Sequence, residues 1–174
     1  PLLAVVAAVS SLPSAAKRAL LELAVSMASS ASSSSSSPSS SGGDVLEART
    51  LLRAAQVAMF VLCHAGAGAD AVPQDVLAGV AQAVALPAVH HAEPTTRAAG
   101  LRLLAVLCVS LAAVLQPFEM GAVAEHLAVL VRALERELPE LRPVAAEGLF
   151  DVVMACPLLQ AFVRGAAASH TTSV

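Results

Sequence analysis

The side chains with reactive potential are few and scattered. Cys63-His64, the pair His90-His91, Cys108, His126 and Cys156 are the residue types that hold zinc. A tetrahedral site needs ligands paired at short intervals, such as CxxC or HxxxH, and no two of these residues stand at such spacing. They read as core thiols and surface imidazoles, so neither a metal nor another cofactor is expected. Ser26 and Ser110 lie in helical patterns, without the sharp Gly-rich turn and neighbouring base that activate a nucleophile. Gly66-Ala67-Gly68 follows no strand and is followed by no Lys-Ser/Thr, so it reads as a helix stop and not as a phosphate loop. No catalytic residue and no small-molecule substrate are expected, and the chain reads as a non-enzyme.

Arginines are the remaining candidates. Arg97, Arg102 and Arg142 could contact a phosphate backbone or a protein partner by charge, and Arg97 and Arg142 recur at a fixed position. Arg97 and Arg142 have an equally direct structural reading, with the stem packed on a turn and the head on a neighbouring carboxylate or carbonyl. Arg132 and Arg136 form an i, i+4 pair among Glu135 and Glu137, which reads as a salt-bridged solvated face. Ser37-Pro38 matches the minimal pattern of a proline-directed phosphosite, although a neutral solvated linker explains the same residues.

These positions depend on a scaffold that composition makes helical. The chain has 174 residues, 57% of them hydrophobic and only 2% aromatic, with no Trp or Tyr. Its apolar content is therefore Ala, Leu and Val. Ala and Leu favour helices, and small side chains allow helices to approach closely. Such a length suits one domain that buries roughly 70% of its unfolded surface. The formal net charge of −3 makes no strong electrostatic case for nucleic acid. Three widely separated cysteines in apolar surroundings suit a reducing compartment better than a disulfide framework. The first residue is Pro1, which reads as a piece of a longer protein.

The mean hydropathy of +0.75 raises the question of a membrane. The best span, Leu103 to Phe118, has 16 residues without a charge, flanked by Arg102 and Glu119 and broken by Gln116-Pro117. A crossing helix needs about 20 apolar residues. Buried helices explain the hydropathy, and no membrane partner is expected.

Periodicity and breakers predict successive helices. The first stretch, residues 1–28, reads as a helical segment split at Leu12-Pro13, with Leu20, Leu21, Ala24 and Met27 on one face and Lys17, Arg18 and Glu22 opposite. Residues 29–43 are serine-rich, with nothing apolar larger than Ala, and read as a disordered loop. Residues 44–168 read as helix pairs, and residues 169–174 as a polar tail. Asp44 and Glu47 suit a capping box, Pro87 a kink or stop, and a threonine of Glu93-Pro94-Thr95-Thr96 the cap of the next helix. Leu127, Leu130, Val131 and Leu134 mark the apolar side of a helix over 118–137.

Three of the predicted helices begin alike, with RAAQVAMFVLC from Arg53, RAAGLRLLAVLC from Arg97 and RPVAAEGLFDVVMAC from Arg142. The arginines recur every 44 to 45 residues and each stretch ends in Cys. A helix-pair period near 40–47 is that of HEAT and armadillo arrays, whose repeats bury their apolar faces only on one another. The expected fold is all-α, a HEAT/armadillo-like α-solenoid of antiparallel helix pairs.

Within that frame Val84 to Met154 resembles the C-terminal HEAT domain of the condensin subunit 3 family, the G-type HEAT subunits. The resemblance rests on Ala85-Leu86-Pro87-Ala88-Val89, Glu93-Pro94, Arg97, Gly100-Leu101, Ala124-Glu125-His126-Leu127, Glu140-Leu141-Arg142, Ala145 and Leu149-Phe150-Asp151 with Met154. It implies a non-catalytic scaffold that grips the kleisin subunit beside the SMC ATPase pair. It also implies contact with duplex DNA through the assembled complex, and a place in the nucleus on mitotic chromosomes. An unrelated HEAT or armadillo adaptor, serving transport or a phosphatase, is the alternative. By the helical pattern, Leu149 and Phe150 straddle the face packed on the preceding repeat.

Overall fold

The computed structural model describes residues 11–34, 41–64, 72–114, 121–157 and 159–160, and among these every regular element is helical. The elements are α1 (Ser14–Ser34), α2 (Ser41–Cys63), α3, α4 (Pro94–Val114), α5 (Gly121–Arg136) and α6 (Arg142–Ala155). Helix α3 is one rod of three consecutive stretches, Gln74–Val80, the π-helical turn Ala81–Ala85 and Leu86–His90. The expectations for residues 1–10 of the first segment, Ser37, the helix stop at Gly66-Ala67-Gly68, the break at Gln116-Pro117, residues 161–168 of the helix pairs and the tail at 169–174 lie outside the described residues.

The serine-rich stretch departs from expectation at both ends. Helix α1 runs on through Ser29 to Ser34, and α2 already begins at Ser41. Burial supports the extension of α1, and its serine hydroxyls are compatible with it. Ala28 and Ala31 are buried on its inner side. The Ser29 and Ser30 hydroxyls donate to the carbonyls of Val25 and Ser26 at 2.9 and 2.6 Å, satisfying themselves on their own helix. Because α2 starts three residues before Asp44, that residue lies inside the helix and does not cap it.

Lys17 also departs from expectation. It is only 2% exposed, one turn before the fully buried Leu21 and on the same side as Ala24 and Ala28. Arg18 and Glu22 do take the solvent side, joined at 2.7 Å. Lys has a long apolar stem, so its position within the inner stripe is compatible with helix packing.

Pro87 neither ends nor breaks α3. The π-helical turn lies just ahead of it, with the Leu86 N–H bonded five residues back to the Ala81 carbonyl. A widened turn removes the steric and hydrogen-bonding conflict that a ring without N–H creates inside an α-helix. The rod then continues to His90.

Helix α4 is the hub. It packs on α2, α3, α5 and α6, while α1 packs on α2 and α3, and α5 on α6. Leu101, Leu103, Leu104, Leu107, Cys108 and Leu111 of α4 are all at most 2% exposed. The stretch Pro94–Ala112 is long and apolar enough to cross a membrane, but 56% of its apolar window is buried inside the protein. Neighbouring helices therefore take up much of the surface that lipid would cover.

Two glycines set the closeness of this packing. A Cβ on Gly100 would come within 2.6 Å of the Val89 nitrogen, so the end of α3 rests on the α4 backbone. A Cβ on Gly148 would stand 2.8 Å from the Ala105 Cβ, so α6 meets α4 almost backbone to backbone. The fully buried Ala54, Ala55 and Ala58 give α2 a similarly thin inner side.

Candidate partner-binding surface

The turn between α3 and α4 is built by one carboxylate. Glu93 precedes Pro94, the first residue of α4, where a missing N–H costs nothing. The Glu93 Oε2 accepts the Thr96 N–H at 2.7 Å and the Thr96 hydroxyl at 2.6 Å, and Oε1 accepts the Thr95 hydroxyl. Glu93 is thus the cap, and the threonines expected to cap are its donors. These hydroxyls, Thr95 first, hold the Glu93 carboxyl down at about 2, well below the usual carboxylate range. Thr96 is fully buried, and its hydroxyl also lies 3.4 Å from the Ala48 carbonyl of α2. The Glu93 N–H donates to His91 Nδ1 at 3.1 Å, fixing the imidazole against the same turn.

Beside this turn lies a groove of about 500 Å³. Val45, Ala48 and Leu52 of α2 supply apolar lining, and Arg49, His91 and Glu93 supply polar groups. Val45 is 52% exposed and its neighbour Leu46 is 65% exposed. Among the described residues, Arg49 has no ion-pair or hydrogen-bond partner.

The sequence-predicted arginines divide. Arg97 Nε lies 3.6 Å from Glu137 Oε2, with both side chains largely covered. No hydrogen bond reaches that buried Nε, so the interaction is an ion pair without direct hydrogen-bond geometry. Arg142 Nε donates to the Glu137 carbonyl at 3.1 Å, where α5 has just ended and carbonyls lack helical partners. The two repeat arginines therefore converge on one residue, by carboxylate and by backbone. Arg102 is exposed on α4, with no partner among the described residues. Arg53, the third member of the spacing pattern, is exposed well inside α2 because that helix starts earlier than the pattern implies. Arg132 bonds the Ala128 carbonyl of its own helix at 3.1 Å.

The sulfur and imidazole groups stay apart. Among the described residues, no group of three or more His, Cys, Asp or Glu side chains is placed to hold a metal ion. Cys108 and Cys156 are buried and Cys63 is exposed. Burial pushes the Cys108 thiol up to about 12, and partial desolvation also raises Cys63. His64 Nδ1 lies 2.7 Å from the Phe60 carbonyl. His126 is only 6% exposed, and burial lowers its pKa against the opposing influence of Glu125. It falls on the inner stripe of α5 with Val123, Leu130 and Ala133, while Val131 of the expected stripe is 45% exposed.

Sequence reasoning missed Glu137 as the meeting point, Glu93 as the cap and Arg49 at the groove. Glu-Pro ahead of two threonines carried a signal for the second of these, since Pro at the first helical position marks the residue before it as a cap. The other two depend on contacts between separate helices.

Comparison with protein-family models, with curated proteins and with solved structures gives no match to this chain.

Proposed function

We propose that this chain is part of a non-catalytic α-solenoid scaffold of the HEAT class. Within that class, the particular role we assign is that of a condensin G-type HEAT subunit. It would bind the kleisin subunit beside the SMC ATPase pair and, through the assembled complex, duplex DNA during mitotic chromosome condensation in the nucleus.

The observation that carries the scaffold reading is the convergence of Arg97 and Arg142 on Glu137. Arginines at the recurrent position of two successive helix pairs reach one residue between those pairs, which supports stacking of neighbouring repeats. The packing order supports it too. Helix α4 packs on α2 and then α6 packs on α4, each preceded in the chain by a helix that packs on it. The condensin assignment is carried by the ordered resemblance from Ala85 to Met154. Exposed Arg102 remains available for a phosphate or an acidic partner, while Arg97 and Arg142 first serve the junction.

The test is affinity purification of the full-length protein from dividing cells. Kleisin and SMC subunits are the expected co-purifying partners. Recovery of transport or phosphatase components in their place would overturn the condensin assignment in favour of an unrelated HEAT or armadillo adaptor.

A further inference from the structure

We propose that the groove between the first half of α2 and the α3–α4 turn receives an acidic amphipathic peptide segment of a partner protein, with an apolar side chain on Val45, Ala48 and Leu52 and a carboxylate at Arg49. This deepens the scaffold reading and rests on it.

The argument is one of complementarity. The groove volume of about 500 Å³ lies within the range of clefts that enclose ligands. Val45 of the lining and its neighbour Leu46 are 52% and 65% exposed and lose water-exposed area when a side chain covers them. Arg49 and His91 are the lining side chains with donors to spare. Arg49 is a cation without a partner among the described residues. The lone pair of His91 Nδ1 is taken by the Glu93 N–H, which leaves Nε2–H as that ring's donor. Glu93 is the one carboxylate among the lining residues, and both of its oxygens already accept from Thr95 and Thr96. The groove thus offers apolar surface beside Arg49, a cation unpaired among the described residues, while the Glu93 charge is engaged on the turn by Thr95 and Thr96; this fits a segment that alternates leucine with aspartate or glutamate. A nucleic-acid backbone would match Arg49 but leave the apolar lining uncovered.

The experiment uses the full chain and fluorescence anisotropy. The probe is a labelled peptide carrying two leucines among aspartates. Controls replace the aspartates by lysines, or the leucines by alanines, and a labelled DNA duplex is run in parallel. Saturable binding of the acidic leucine peptide is expected. Each control peptide and each of the exposed-site variants Arg49→Glu and Val45→Glu should bind roughly tenfold more weakly. Unchanged thermal unfolding of both variants would show that the fold is kept. Absence of saturable binding, equal binding of the lysine peptide, or insensitivity to Arg49→Glu overturns the proposal. Arg49-dependent binding of the duplex without binding of the peptide also overturns it. Such a failure is separate from failure of the scaffold reading, which the co-purification decides.

Discussion

Arg97 Nε stands 3.6 Å from Glu137 Oε2, joining the first turn of α4 to the residue just beyond α5. Their side chains are only 20% and 23% exposed, so solvent screens this pair less than an ordinary surface pair. Arg142 approaches the same residue from α6 but binds its backbone carbonyl. The two arginines therefore respond differently to a change in the Glu137 side chain. In a double-mutant cycle, Arg97→Gln and Glu137→Gln should couple by about 1 kcal/mol, between the exposed and buried extremes. Arg142→Gln should be additive with Glu137→Gln. Chemical denaturation of the single and double variants measures both. Equal coupling for the two arginines would contradict the geometry.

Acid stability should separate two groups. The folded-state pKa of Glu93 is depressed to about 2 from an ordinary value of 4.5. Its stabilising contribution is thus present above pH 4.5 and lost as pH falls towards 2. Glu93→Ala should cost about 1 kcal/mol at neutral pH, as removed caps do, and less once the carboxyl is protonated. Burial lowers the His126 pKa from 6.5, so the folded state favours the neutral ring and its contribution is lost as pH falls below 6.5. Thermal unfolding from pH 8 to pH 2 checks both. The wild type should lose stability in two steps, with Glu93→Ala lacking the lower one and His126→Leu the upper.

Three glycines give an internal control on helix approach. Gly100→Ala forces a Cβ to 2.6 Å from the Val89 nitrogen, and Gly148→Ala to 2.8 Å from the Ala105 Cβ. Each should cost about 1 to 3 kcal/mol through overpacking. Gly79 has nothing within 4 Å of a built Cβ, so Gly79→Ala should stabilise by about 0.5 to 1 kcal/mol through helix propensity. Calorimetric melting of the three variants compares them, and a common sign would refute the packing described.

The two sides of α6 should differ sharply. Phe150 is 64% exposed, which corrects its placement with Leu149 on an inward face. Leu149 is half-buried and packs against the core, and Val152 is fully buried. Leu149→Asp should therefore cost several kcal/mol by placing a charge against apolar neighbours, whereas Phe150→Asp should change folding by less than about 0.5 kcal/mol. Thermal melts of the isolated chain decide this. Comparable loss in both variants would show that Phe150 is covered in solution.

How much was legible follows from the range of each interaction. Composition and periodicity were enough for an all-helical chain and for the order of α1 to α6, because helix formation depends on residues three and four apart. The boundary at Ser34 was not, since the burial of Ala28 and Ala31 against neighbouring helices outweighs the bias of serine towards loops. Pro87 misled for a related reason, because a π-helical turn just ahead of it accommodates the ring.

The Arg97 and Arg142 spacing, Glu93-Pro94 and the small residues at 100 and 148 were written in the chain itself. Which partner each would meet was settled by packing in space. Glu137 lies 40 residues beyond Arg97 and acquires its role because α4, α5 and α6 are brought together. The placing of Arg49 beside apolar Val45 and Leu52 in one groove arises in the same way, from the fit of α2 against a distant turn. Local patterns carry helix identity, whereas pairing of charges and formation of a groove are properties of surfaces that exist only after the helices have docked.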